Sequence, residues 1–193
     1  MKNIFRTILL SFMICLAAAS GYAAIYEIDG PSSSVSFIEK HTIGFNSGVI
    51  QSFTGTLDFD EKEFLLKQVS LDLHLESLTT FNEARDQLLK SQEFLNVANF
   101  SQARIISGKI ENGKVNVSVT VLGKTKEYVW DYYVIGLKKS VEGSKPAVAL
   151  SLTGAINRED FGVDYNVKSE QGQNLLGTEI EFYINLTANK STN

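Results

Sequence analysis

Three stretches of this chain alternate apolar and polar residues with a period of two: Val69–Leu75 (VSLDLHL), Val115–Val121 (VNVSVTV) and Ile180–Leu186 (IEFYINL). That period sets one face of a strand against an apolar interior and the other in water. Weaker runs complete a set of predicted strands at Ile25–Asp29, Ser34–Lys40, Ser52–Asp60, Gln68–Glu76, Ala103–Glu111, Lys114–Leu122, Lys124–Leu137, Ala147–Asn157 and Leu176–Ala188. The pattern predicts an all-β chain, an antiparallel sheet wrapped around an apolar centre. A barrel of about eight strands has a lumen wide enough for its own side chains or for one slim ligand. What fills the lumen therefore decides the function.

Turn chemistry supports the strand assignment. Asn112-Gly113 between two runs is a two-residue hairpin signal, because such a turn needs φ > 0 at both positions, and Gly123-Lys124 can close the next hairpin. Pro31 and Pro146 stand beside turn residues and interrupt no alternating run. The one predicted helix follows Gln68–Glu76. Thr80 and Glu83 have capping-box spacing, Phe81, Ala84 and Leu88 form a narrow apolar stripe, and Asp86 and Lys90 have ion-pair spacing. No repeat or composition shift marks a second domain, so residues 24–193 are expected to form one.

The first 23 residues read as a signal peptide. Lys2 and Arg6 precede the apolar run Ile8–Ala19, and small Gly21 and Ala23 place cleavage after Ala23. That run is shorter than the roughly 20 residues that span a bilayer. The expected mature protein is exported and not membrane-spanning, in a periplasm, with full secretion as the alternative. Cys15 falls in the leader, so the mature chain would have neither disulfide nor thiol chemistry. Losing Lys2 and Arg6 leaves 16 Lys and Arg against 22 Asp and Glu. That acidic balance, without a basic run, argues against nucleic acid as a partner.

Several segments, in order along the chain, resemble the YceI-like family. Ser34–His41 (SVSFIEKH) is similar to its opening strand and Ser52–Asp60 (SFTGTLDFD) to its glycine-kinked second strand. Ser77–Ser107 resembles its mid-barrel insertion, Thr120–Lys126 (TVLGKTK) its strand–turn–strand element and Gly154–Gly162 (GAINREDFG) its late turn. Leu175–Ala188 is similar to its closing strand. Departures are Ser33-Ser34 for a histidine–serine pair, Asn99-Phe100-Ser101 for a tyrosine–proline pair, and Asn46–Gln51 for a basic, glycine-bearing stretch. The resemblance implies an antiparallel lipocalin-like β-barrel with one short helix inserted between strands, associated with polyisoprenoid binding. It implies no cofactor.

The lumen then acquires candidate ligand contacts: Phe37, Phe53, Leu71, Leu73, Val117, Val119, Trp130 and Phe182 on strands, and Phe161 in the late turn. Phe81 and Phe94 would lie on a helical lid, and His41, Arg85 or Arg158 would meet a polar end group. Pattern alone favours a core packed solid by its own side chains; the resemblance shifts the expectation to an isoprenoid or other long-chain amphiphilic lipid. About ten buried methylene groups at roughly 0.8 kcal/mol each give about 8 kcal/mol before ordering costs. Turn-forming bonds are the favoured account of Asn157, Arg158 and Asp160, ahead of a cationic rim at Arg85 or Arg158, and His74 is expected to face out. Two mature histidines without cysteine leave no zinc pattern. Asp58 and Asp60 lack a partner for acid–base work, and no phosphate loop occurs, so the chain is read as a binding protein and not an enzyme. The alternatives are an interaction protein with a self-filled core and a lipid-modifying barrel enzyme. Homodimerisation stays open.

Overall fold

The computed structural model describes residues 24–140 and 144–192; the expected leader and its cleavage point lie outside the described residues. In chain order the elements are β1 (Ala24–Ile28), β2 (Ser34–His41), β3 (Gly44–Ile50), β4 (Phe53–Asp60), β5 (Leu65–His74), β6 (Leu78–Thr79), α1 (Glu83–Lys90), β7 (Gln102–Glu111), β8 (Lys114–Val121), β9 (Lys124–Lys138), β10 (Ala147–Asn157) and β11 (Leu176–Lys190). Eight of these strands close a ring in the order β1-β4-β5-β7-β8-β9-β10-β11, and β11 returns to β1 through Tyr26↔Lys190 and Ile28↔Ala188. Every pairing is antiparallel.

The other three strands prolong three barrel strands past a break in each. β11 leaves β1 and pairs with β2, β2 pairs with β3, and β3 with β6. The breaks fall at residues 29–33, 51–52 and 75–77. Serines replace the missing ladder bonds there: Ser33 Oγ donates to the Asp29 carbonyl at 2.7 Å and accepts from the Thr187 amide at 2.9 Å, and Ser77 Oγ accepts from the Ser52 amide at 2.8 Å. Beyond the breaks β6 ends the sheet, so the upper barrel is unpaired between β6 and β7. The connection that carries α1 crosses this gap.

β3 and β6 were not expected. Gly44, Asn46, Ser47 and Gly48 disfavour strand, and pairing with β2 overrides that local preference. Asn112 and Gly113 have φ of 52° and 74°, as a two-residue hairpin requires. The next turn is Leu122-Gly123, with φ of 52° and 72°, one residue earlier than expected. The helix also differs. Its N-cap is Asn82, whose Oδ1 accepts from the Arg85 amide at 3.0 Å. Thr80 instead donates its amide and hydroxyl to Asp86. Lys90 pairs with Glu76, not Asp86.

The lower barrel is filled by its own side chains. Tyr26, Leu57, Phe59, Val69, Leu71, Val115, Val117, Leu152, Ile184 and Leu186 are fully buried there. Tyr26 meets Phe59 edge-on at 6.3 Å between ring centroids. Close packing of this kind leaves no room for a ligand.

Candidate functional site

An aromatic belt separates that packed half from a hollow one. Cross-strand neighbours on four adjacent strands run Gly48, Phe37, Phe182, Gly154, and Trp130 of β9 lies over Gly154. A Cβ on Gly48 would overlap the Phe37 ring, and one on Gly154 would overlap the Trp130 indole. The two glycines thus supply the volume that three large rings occupy. Phe182 stacks on Trp130 at 5.8 Å and 20° and leans on Phe37 at 6.3 Å. The indole N–H donates to the Ala155 carbonyl at 3.1 Å, which fixes the ring.

Above this floor lies a cavity of about 270 Å³. Leu73, Ala103, Ile105, Val119, Val121, Ile156 and Ile180 form its walls. Its roof combines Leu88 and Leu89 of α1, Phe94 and Leu95 beyond it, and Val163, Tyr165 and Val167 from the segment before β11. Phe94 and Tyr165 join the two halves of the roof, ring to ring at 4.8 Å. Leu88 and Val167 line the cavity and are also exposed to solvent, which places a mouth between the halves.

One side of the cavity is polar and tightly bonded. Asn46 bridges opposite charges: its Nδ2 donates to Glu39 Oε2 at 2.9 Å, and its Oδ1 accepts from Arg85 Nη1 at 2.6 Å. Glu39 Oε1 accepts from the Gly177 amide at 2.8 Å. Arg85 Nε donates to Thr80 Oγ1 at 2.8 Å, and Nη2 to the Thr80 carbonyl at 3.2 Å. Asp86 holds Thr80 from behind through bonds at 2.7 and 2.5 Å, and takes a further bond at 2.7 Å from Thr79 Oγ1. Burial pushes the Asp86 carboxyl up, but bonds from the Thr80 hydroxyl, the Thr79 hydroxyl and the Thr80 amide reverse this and hold it below the usual carboxylate range. Arg158 enters from the turn after β10. Its Nε donates to the Gly177 carbonyl at 2.8 Å and its Nη1 to the Val163 carbonyl at 2.5 Å.

Of the residues expected at the lumen, Phe37, Leu73, Arg85, Phe94, Val119, Trp130, Arg158, Phe161 and Phe182 line the cavity. Phe53, Leu71 and Val117 do not. They point inward as expected but belong to the self-filled core, because alternation gives the face of a strand and not the level of the barrel. His41 lies outside the lining, half-buried at the end of β2 beside the hairpin to β3. Phe81 is a correction: it is 80% exposed. The helix starts two residues later than the stripe assumed, Phe81 sits before it at φ 60°, and the inward face is Arg85, Leu88 and Leu89. Ala84, on the same assumed stripe, is exposed. Glu39, Asn46, Thr80 and Tyr165 were missed. Glu39 carried a readable signal, since it follows Val35 and Phe37 on the inward register of β2.

The chain is a closed antiparallel barrel, packed at one end and hollow and apolar at the other. Residues 26–188 match the model of the YceI-like domain, and the chain belongs to that family. It is 28% identical over 158 residues to a UPF0312 protein of Staphylococcus aureus, covering 81% of this chain and 92% of that one. The Campylobacter jejuni YCEI protein superposes with a TM-score of 0.69 at 25% identity, covering 79% of this chain and 90% of that one. A polyisoprenoid binding domain from Saccharophagus degradans, implicated in plant cell wall breakdown, shares the fold with a TM-score of 0.61 at 13% identity, over 86% and 98% of the two chains. Among the described residues no helix is long and apolar enough to cross a membrane.

Proposed function

We propose that this protein binds an apolar amphiphile, a polyisoprenoid or quinone-like lipid, in the upper half of its barrel. The observation that carries this reading is the 270 Å³ cavity above the Phe37–Phe182–Trp130 floor. An apolar protein cavity of about 150 Å³ accepts one benzene, so this one accommodates about eleven carbon-sized atoms. A longer chain extends from it through the mouth between Leu88 and Val167. The polyisoprenoid binding domain from Saccharophagus degradans, which has the same fold, supports the ligand class. Export supports the setting: the basic start and apolar run of the first 23 residues suit a periplasmic carrier. No catalytic arrangement enters this reading; the protein holds its ligand and leaves it unchanged.

Native mass spectrometry of protein purified without detergent tests the proposal. A mass excess that disappears after organic extraction, with a long-chain lipid in the extract, is the expected result. Protein of bare polypeptide mass that also fails to take up added polyprenyl lipid would end the carrier reading. The N-terminal sequence of the same exported sample is expected to begin at Ala24.

A further inference from the structure

Resting on the reading of the cavity as a lipid site, we infer that the ligand carries an acidic head, of about one negative charge, which docks on Arg158. Arg158 is 7% exposed and lines the cavity. Its Nε and Nη1 are spent on two neutral carbonyls, and Nη2 is buried without a protein acceptor. Among the described residues it forms no ion pair. The nearby acids are engaged elsewhere: Asp160 accepts from the Tyr128 hydroxyl at 2.8 Å, and Glu39 holds Asn46 and the Gly177 amide. A buried cation without counter-charge is strongly unfavourable.

Arg85 does not present the same vacancy, because its Nε, Nη1 and Nη2 each have an acceptor. The lining holds two guanidiniums, Arg85 and Arg158, against the single carboxylate of Glu39. Glu39 and Asp86 are both bonded into the Arg85 network, so the cation left without a counter-charge is Arg158. A carboxylate accepts from Nη2 and balances that charge, as does a phosphate monoester in its singly ionised form. An alcohol or quinone oxygen accepts the bond and leaves the charge, and an ammonium adds to it. The acid enters head first, since Arg158 is buried and the exposed lining residues Leu88 and Val167 are apolar.

Trp130, the sole tryptophan of the chain, stands in the cavity floor, and its emission reports occupancy. The experiment titrates the purified chain with decanoate, decyl phosphate, decanol and decylammonium, probes matched to the cavity's volume of about 270 Å³. At least one acid is expected to bind about tenfold or more tighter than decanol, with decylammonium weakest. The tighter of the two acids names the head as carboxylate or phosphate. Arg158→Gln is expected to bring acid binding down toward the level of decanol while decanol binding changes far less, and a melting curve shows whether the variant is folded. Should Arg158→Gln not fold, the order of the four probes on the wild-type chain decides alone. Decanol matching both acids, or an acid preference that survives Arg158→Gln, overturns the head assignment and leaves the lipid site standing. Failure of all four probes to bind removes the lipid site, and this inference with it.

Discussion

Trp130 occupies the space that Gly154 leaves empty: a Cβ on Gly154 would overlap the indole, whose N–H donates to the neighbouring Ala155 carbonyl at 3.1 Å. The floor of the cavity depends on this pair, because Phe182 stacks on the same indole. Gly154→Ala forces the ring to move. The expected destabilisation is about 1–3 kcal/mol, the usual cost of overpacking. Melting temperature should fall by roughly 2–4 °C per kcal/mol in a chain of this size. Tryptophan emission should shift with it. Unaltered melting and emission would show that the floor yields without cost.

Ala103 lines the cavity at a buried position on β7. Ala103→Leu places three more carbons in empty space rather than in a packed core. The variant is expected to keep or slightly gain thermal stability while retaining less co-purified lipid. Native mass spectrometry beside a melting curve checks both. Retention equal to wild type would place the lipid outside this cavity.

Phe81 and Phe94, both expected on a helical lid, differ in the structure: only Phe94 belongs to the roof. Phe81 is exposed and held at φ 60°, where asparagine is better tolerated than an aromatic residue. Phe81→Asn should leave ligand retention unchanged and stability within about 0.5 kcal/mol of wild type or above it. Phe94→Ala removes a buried roof residue tilted against Tyr165, and should cost about 3 kcal/mol in urea unfolding and weaken retention. Retention lost through Phe81→Asn and kept in Phe94→Ala would reverse the assignment.

Asp86 gives the site an acid-sensitive support. Its folded-state pKa lies below the ordinary carboxylate range, since the threonine bonds outweigh the opposing effect of burial. The stabilisation is therefore complete above the unfolded-state pKa and is lost as pH falls through the folded value. Asp86→Asn should unfold at lower urea than wild type at about pH 7, and the two midpoints should converge as pH falls below the ordinary carboxylate range. A gap that stays constant over this range would assign the effect to packing rather than to charge.

Much of the fold was legible in single strands. β8 buries every second residue, as do β5 from Val69 to Leu73 and β11 from Ile184 to Ala188, so these inward faces could be read from period-two alternation. Asn112-Gly113 announced its hairpin because few residue pairs adopt two positive φ values. β3 was hidden: Gly48 and Asn46 are poor strand residues on their own, and their reason lies across the sheet, in the Phe37 ring and the Glu39–Arg85 bridge. The helix face was misread because its phase depends on which residue caps it, and Thr80 was drawn away by Asp86.

The sequence by itself determined the closed sheet and which residues face inward, since alternation is a local property of each strand. Only the tertiary structure decided where the interior is full and where it is empty. Leu71 and Leu73 have the same pattern and the same burial, yet one is packed core and the other a cavity wall. The difference arises from what stands opposite each: interlocking side chains below the aromatic belt, and above it a roof bridging a gap the sheet leaves unpaired. Packing volume is a sum over partners distant in sequence, and no single strand encodes it.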